Sequence, residues 1–189
     1  ENTQDWMKIL LFCAYQGTKN SGKTTRNAAR TIAAALGCDY AEWEVDDLVE
    51  GYESTVESIL KRQLSWQTDD IARQNIQARV RAPGIWMMAN IRNALLLATS
   101  NRSEAAVGYA TMDGDTSGGL SPIAGIDKHY LREWLRFMES TGLPESPSIK
   151  ELSQINVQNP TAELRPEDAN QTDEDDLMPY QVLDTLERA

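Results

Sequence analysis

Short apolar segments typical of β-strands alternate along this chain with longer segments of helical periodicity. Residues 8–15 (KILLFCAY) predict a buried strand, and residues 23–36 predict a helix that Gly37 ends. Residues 38–45 predict a second strand, and residues 46–61 a second helix that an aspartate caps. This alternation predicts an α/β fold, a doubly wound parallel sheet with helices on both faces in three layers.

The second half of the chain continues the pattern with more helix. Its longest helical segment, residues 69–93, contains Pro83, which lacks a backbone donor and should kink or restart the helix. The apolar residues 94–98 predict a third strand. Three shorter helices are predicted after this strand, at residues 101–109, 127–140 and 179–188.

Residues 142–178 are rich in Pro, Asn, Asp, Glu and Ser and include the acidic run 173–176. Their composition predicts a long loop with at most one short helix. Loops of this length inside a compact domain are usually lids or linkers. We therefore expect a mobile acidic loop within a single domain that spans residues 1–189.

Composition argues against two classes of partner. The formal net charge is −11, whereas binding to a nucleic-acid backbone needs a dense footprint of Lys and Arg. The longest apolar runs are far shorter than the roughly 20 residues of a membrane span, and no signal-peptide pattern is visible. We expect a cytoplasmic protein with no nucleic-acid or membrane partner. Cys13 and Cys38 lack metal-binding spacing and are expected to be buried, reduced thiols.

Residues 17–24 (GTKNSGKT) match the phosphate-binding pattern GxxxxGK[ST] between a predicted strand and a predicted helix. In such a P-loop the backbone amides would hold phosphates, Lys23 would contact the terminal phosphates and Thr24 would bind magnesium. The carboxylate that P-loop proteins place after another buried strand could come only from Asp46. The alternative is a polar connection in which Ser21 or Thr24 caps the helix.

A second polar stretch, rich in glycine, follows the predicted strand 94–98. Thr99 comes directly after the strand, at the end where open parallel sheets bind their ligands. Glu104, Asp115 and Lys128 follow within the next 30 residues or so. Their chemistry is that of a site for phosphate and a metal ion.

This stretch resembles the NAD synthetases, above all the synthetase domain of the glutamine-dependent branch. The shared features are the strand that ends in Thr99, the run SNRSE at residues 100–104, later Val-Gly-Tyr, Gly-Asp and Gly-Gly-Leu steps, and Lys128 at a helix start. The resemblance runs from about Leu10 to Leu186. It implies a fold of the adenine nucleotide alpha-hydrolase-like, Rossmann-like kind.

The resemblance implies ATP-dependent amidation of deamido-NAD to NAD through an adenylated intermediate, with release of AMP and pyrophosphate. In the full enzyme a glutaminase domain supplies ammonia from glutamine. Neither that domain nor the family's Ser-Gly-Gly-x-Asp-Ser loop occurs in this sequence, so the chain resembles part of a longer enzyme. A P-loop NTPase that uses residues 17–24 and a non-catalytic dimerising fragment are the alternatives.

The resemblance also implies roles for individual residues. Thr99, Lys128 and Thr161 would contact the substrate ATP, and Thr99, Glu104 and Lys128 would act in catalysis. Glu104 would also bind Mg²⁺. The residues expected to contact deamido-NAD are Asn75, Arg79, Glu104 and Asp115.

Each of these residues also has a structural explanation, such as a helix cap for Thr99 or a solvated helix start for Lys128. Asn75 and Arg79 lie in the run NIQARVR, which resembles a family helix near a subunit interface. The apolar residues 85–88 then suit a contact in a homodimer, although core packing explains them equally well. His129 is expected to be a surface or packing residue.

Overall fold

The computed structural model describes residues 3–166 and 171–189. The first half of the chain contains α1 (Thr3–Leu10), β1 (Phe12–Gly17), α2 (Lys23–Leu36), β2 (Asp39–Glu44), α3 (Asp46–Leu60), α4 (Asp70–Arg79) and α5 (Arg81–Arg92). The second half contains α6 (Arg102–Val107), α7 (Lys128–Ser140), β3 (Gly142–Leu143), β4 (Ser146–Pro147), a 3₁₀ turn (Lys150–Leu152), α8 (Ser153–Asn156), α9 (Asp173–Asp176) and α10 (Tyr180–Glu187).

The first strands form a parallel pair with α2 between them in the chain. Phe12 pairs with Asp39 at one end of the register, and Gly17 pairs with Glu44 at the other. The predicted helix over 23–36 is confirmed, and Gly37 ends it in the left-handed conformation at φ 74°. A parallel β-α-β unit therefore opens the fold.

The first strand begins later than predicted. The prediction placed it at residues 8–15, but α1 extends to Leu10 and β1 begins at Phe12. Trp6, Ile9 and Leu10 have helical spacing and are exposed, and a short apolar run does not mark where a helix gives way to a strand. The prediction of a fully buried strand was also wrong, because only Gly17 of β1 is buried.

Residues 94–98 do not form a regular strand in the described part of the chain. Leu97 instead makes one parallel bridge with Leu120. The Ala98 amide donates to the Leu120 carbonyl at 2.8 Å, and the Gly119 amide donates to the Leu96 carbonyl at 2.8 Å. This short parallel ladder fixes the backbone that leads into Thr99.

The helical pattern over 69–93 is divided into α4 and α5, as Pro83 predicts. Pro83 lies in the first turn of α5, where a missing backbone donor costs no helical hydrogen bond. The junction residue Val80 is buried with Val45 and Val49 in a small apolar core. This core joins the α4–α5 pair to the start of α3.

The segment predicted as one long loop over 142–178 contains more regular structure than its composition suggests. It includes the β3–β4 hairpin, the 3₁₀ turn, α8 and α9. The 3₁₀ turn and α8 pack against α2 and α7, and Leu152 is buried. Residues 167–170 of this segment lie outside the described residues.

Cys13 and Cys38 are free thiols that are only partly buried, so they are less buried than predicted. The two thiols lie close together. Burial is the main reason that the pKa of the Cys13 thiol rises to about 11, and the neighbouring Cys38 raises it further.

Within residues 3–166 and 171–189, no helix combines the length and apolar character needed to cross a membrane.

Candidate active site

A cavity of about 500 Å³ lies where α4, the start of α6, the start of α7 and residues 161–164 approach one another. Most of the residues proposed from the sequence line it together. They are Asn75, Thr99, Glu104, Asp115, Lys128 and Thr161. Arg79 is outside this lining, and its exposed guanidinium donates to the Met112 carbonyl at 3.1 Å. The cavity thus brings together predicted residues as far apart in the chain as Asn75 and Thr161.

Glu104 is held at the start of α6 by a capping box. The Asn101 side chain accepts from the Glu104 amide at 3.1 Å, and Glu104 Oε2 accepts from the Asn101 amide at 3.2 Å. Glu104 Oε1 also accepts from Lys128 Nζ at 2.9 Å, and both side chains are largely buried. One carboxylate therefore closes the helix end and orients the ammonium group in the cavity.

The start of α7 is held by side chains from two other helices. The Lys128 amide donates to Ser103 Oγ at 2.9 Å, and the Ser103 hydroxyl donates to Asp184 Oδ1 at 2.6 Å. Asp184 Oδ2 accepts from the His129 amide at 3.0 Å. These bonds satisfy amides that a helix start leaves without partners, and they fix the backbone from which Lys128 reaches the cavity.

Asp173 is a cavity residue that was predicted only as part of an acidic loop. It is buried, and its Oδ2 accepts from the Tyr180 hydroxyl at 2.9 Å. Its Oδ1 is buried and has no hydrogen-bond partner among the described residues. Burial raises the pKa of the Asp173 carboxyl. Lys128 Nζ lies 5.7 Å from the centre of the Tyr180 ring, so Tyr180 contacts Asp173 and also lies close to the Glu104–Lys128 pair.

Composition alone does not predict that Asp173 lies in the cavity, because four consecutive acids are typical of a solvated surface. The usable signal is local: Thr172 caps α9 by accepting from the Asp175 amide, which predicts a helix start rather than a loop. Arg81 was likewise not singled out within its motif. It lines the cavity, its Nε donates to the Gln16 carbonyl at 3.0 Å, and burial lowers the pKa of its guanidinium.

A second wall of the cavity is built from neutral and acidic hydrogen-bonding groups. The Thr111 hydroxyl donates to Asn75 Oδ1 at 2.9 Å, and the Thr111 amide donates to Asp115 Oδ2 at 2.8 Å. These bonds therefore hold the side chains of Asn75 and Asp115 in fixed positions on the cavity wall.

The P-loop interpretation of residues 17–24 does not fit the structure. None of these residues lines the cavity, and the side chains of Lys23 and Thr24 are exposed. The Gly22 amide, which would bind phosphate in a P-loop, donates to Glu163 Oε2 at 2.9 Å. Asp46, the one candidate for a magnesium carboxylate, accepts from the Lys19 amide at 3.1 Å. A carboxylate of the chain itself occupies the anion position.

Two groups of acids could in principle hold a cation. Outside the cavity, Asp127, Asp184 and Glu187 lie close together, but Arg102 and Arg188 form ion pairs with this group. Within the cavity, the carboxylates of Glu104 and Asp173 provide the oxygen ligands that Mg²⁺ prefers. Among the described residues both groups contain buried carboxylate oxygens without a hydrogen-bond partner: Asp173 Oδ1 in the cavity, and Asp127 Oδ1 and both Glu187 oxygens in the outer group. This feature therefore does not distinguish the two groups.

The fold and the cavity together define a Rossmann-like α/β protein with a polar site at the end of the parallel segment that leads into Thr99. The family model described as NAD synthase matches residues 12–188. The chain belongs to the NAD synthase family.

Similar proteins agree with this assignment. The chain is 36% identical over 172 residues to the glutamine-dependent NAD(+) synthetase of Aquifex aeolicus, covering 91% of this chain and 28% of that protein. A solved glutamine-dependent NAD(+) synthetase from Cytophaga hutchinsonii superposes with a TM-score of 0.75 at 46% identity, covering 87% of this chain and 27% of that one. The chain therefore spans between a quarter and a third of the length of these relatives.

A third solved structure, the glutamine-dependent NAD+ synthetase from Acinetobacter baumannii in complex with ADP, has a TM-score of 0.65 at 24% identity and covers 78% of this chain and 26% of that chain. At this identity it supports the shared fold, and the bound ADP is a property of that protein.

Proposed function

We propose that this chain forms part of the synthetase domain of a longer, glutamine-dependent NAD synthetase that amidates deamido-NAD with ATP. The observation that carries the proposal is the convergence of Thr99, Glu104, Lys128 and Thr161 on one cavity. These residues come from separate elements, and the site combines a phosphate-binding cation with carboxylates. The ADP bound to the Acinetobacter relative supports a nucleotide as one ligand.

The proposed reaction has two steps. The nicotinate carboxylate of deamido-NAD attacks the α-phosphorus of ATP, a P–O bond forms and pyrophosphate leaves. Ammonia then attacks the carbonyl carbon of the acyl-adenylate, AMP leaves with the C–O bond electrons, and one proton is lost from nitrogen. Both steps develop charge on phosphate oxygens, and positioned donors stabilise such charge best in a water-poor site.

The residues of this chain would divide this task by their chemistry. Lys128 would place a point charge on a phosphate, and the hydroxyls of Thr99 and Thr161 would donate to phosphate oxygens. Glu104 orients the Lys128 ammonium at 2.9 Å. A magnesium ion would neutralise part of the triphosphate charge when bound, with Glu104 and Asp173 as its candidate protein ligands.

The wall that contains Asn75 and Asp115 would receive deamido-NAD. Thr111 fixes both side chains there, and Arg79, which donates to the Met112 carbonyl, would contact deamido-NAD from outside the cavity lining. We place the homodimer contact on the neighbouring face of α5, where Trp86, Met87 and Ile91 are exposed.

The proposal is tested by replacing each of two lysines with alanine, one at a time, in the full-length enzyme of which this chain would be a part. Lys128→Ala should lower kcat/KM for ATP at least tenfold, because a charge-assisted contact to phosphate contributes about 1.5–3 kcal/mol. Lys23→Ala should leave it within about twofold, since Lys23 lies outside the cavity. The measurement is NAD formation from deamido-NAD at varied ATP. Loss of activity in Lys23→Ala with normal activity in Lys128→Ala would reverse the assignment.

A further inference from the structure

Residues 160–165 reach the cavity from a part of the chain well beyond Thr99, Glu104 and Lys128. Thr161 lines the cavity, and its Oγ1 accepts from the Glu163 amide at 3.2 Å. Glu163 is one of the few residues other than glycine with a positive φ, at 49°. A residue with a Cβ in this conformation needs compensating contacts. Those contacts come from the loop that resembles a P-loop.

The Glu163 carboxylate is bound at the start of α2. Its Oε2 accepts from the Gly22 amide at 2.9 Å, and its Oε1 accepts from the Thr25 hydroxyl at 2.6 Å. The N-terminus of a 14-residue helix favours negative charge. Both oxygens therefore have donors, and the carboxylate takes the place that a phosphate oxygen would take in a P-loop.

A second attachment secures the next residue of the same segment. The Leu164 carbonyl accepts from Gln77 Nε2 at 2.7 Å and from Asn20 Nδ2 at 3.2 Å. Asn20 Nδ2 also donates to Gln77 Oε1 at 2.8 Å. Residues 160–165 are thus fixed by α2, by α4 and by the 17–24 loop.

We propose that Glu163 is a positioning residue for ATP, and that residues 17–25 serve as the receptor for its carboxylate instead of as a phosphate-binding loop. The receptor holds residues 160–165 so that the Thr161 hydroxyl stays on the cavity wall. This inference rests on the proposed function for its effect on ATP, while the attachment itself can be measured without any reaction.

Two single variants of the full-length enzyme each break the contact between Glu163 and Gly22, one by changing Glu163 and the other by changing Gly22. Glu163→Ala removes the carboxylate. Gly22→Ala places a Cβ 2.6 Å from Glu163 Oε1 and displaces that flexible end, while the backbone at φ −69° accepts alanine. Each variant should raise the KM for ATP roughly tenfold and change kcat much less, because the loop must be ordered again on binding. The double variant should be no worse than either single variant, since both break one contact.

Glu163→Gln tests whether hydrogen bonding carries the effect. The glutamine amide oxygen can accept from the Gly22 amide, and its NH₂ can donate to Thr25 Oγ1. The KM for ATP should then return to within about threefold of the wild-type value. Glu145→Ala is the matched control, because Glu145 is an exposed glutamate outside residues 160–165, and the KM of this variant should stay at the wild-type value.

Hydrogen exchange of residues 160–165 gives the independent readout. Faster exchange is expected in Glu163→Ala and Gly22→Ala, with wild-type exchange in Glu145→Ala. Wild-type exchange and wild-type KM in both variants would overturn the inference while leaving the proposed function intact. So would a Glu163→Gln enzyme as impaired as Glu163→Ala. A wild-type enzyme that forms no NAD would instead overturn the proposed function, and hydrogen exchange would still decide the attachment.

Discussion

Glu104 carries two tasks that ordinary substitutions can separate. Its carboxylate completes the capping box of α6 and also pairs with Lys128. We predict that Glu104→Gln leaves thermal stability within about 0.5 kcal/mol, because Gln serves as well as Glu at this position of a capping box. NAD formation should nevertheless fall at least tenfold, because the charge opposite Lys128 is lost.

Asn101→Ala is the complementary variant to Glu104→Gln, because it removes the helix cap and keeps the Glu104 carboxylate. It should cost about 1 kcal/mol of stability. Thermal unfolding and steady-state rates of both variants check the pair. Equal loss of stability in the two variants would contradict this division of roles.

The buried Asp173 predicts a particular dependence of stability on pH. Its carboxyl pKa is raised from the ordinary value of 3.8 by burial, so folding favours the protonated acid. The stabilisation is complete below pH 3.8 and is lost as pH rises through the higher pKa of the folded state. We expect Asp173→Asn to raise the Tm relative to wild type more at pH 7 than at pH 4. A Tm difference that is the same at both pH values would contradict the expectation.

At the residue scale, the sequence predicts well which residues reach the cavity when their place follows from a local rule. Thr99 follows a strand-like segment, and Lys128 begins a helix, so their position at a shared edge could be expected. No local rule predicts that Asp173 and Arg81 lie at the cavity. Their importance depends on burial by Tyr180 and by β1, which are distant in the chain, and no local pattern encodes that packing.

At the scale of elements, the Leu97–Leu120 ladder depends on a close backbone approach at Gly118. A Cβ there would lie 2.5 Å from the Ala98 amide nitrogen. We predict that Gly118→Ala lowers stability by about 1–3 kcal/mol and weakens ATP binding, because the backbone leading to Thr99 must shift. Gly125→Ala is the control, since nothing lies within 4 Å of its Cβ position. Denaturant unfolding measures the stability of both variants, and equal unfolding midpoints for Gly118→Ala and Gly125→Ala would contradict the prediction.

Helices were easier to predict than strands in this chain. The 14 residues of α2 and the 13 residues of α7 give several turns of periodicity and clear ends. The strand-like segment 94–98 makes only a single bridge among the described residues, and pairing of that kind depends on what lies beside it. The β3–β4 hairpin and α9 are too short to leave a periodic signal, which is why composition alone suggested a loop.

At the scale of the molecule, the chain exposes an unusually large area. Its accessible surface is 11781 Å², whereas a compact monomer of 189 residues exposes roughly 9,000 Å². Part of the excess is apolar, including Met87 and Ile91 on α5, which are 64% and 70% exposed. Surfaces of this kind usually mark contacts with other parts of an assembly.

The proposed homodimer can be tested on this face. Met87→Glu should weaken self-association at least tenfold in the full-length enzyme, because a carboxylate would be buried without a partner. Gln63→Glu adds the same charge at an exposed position on the loop after α3 and should leave association unchanged. Sedimentation velocity over a range of concentrations measures both. A dimer that tolerates Met87→Glu would place the interface elsewhere.

The attachment of Glu163 to Gly22 also has a kinetic consequence. The two residues are 141 positions apart, and contacts that close so long a loop form late in folding. During refolding, helical circular dichroism should therefore recover before the capacity to bind nucleotide. The cavity would be the last part of the molecule to form, and a newly made chain would pass through a state that is helical but does not yet bind nucleotide.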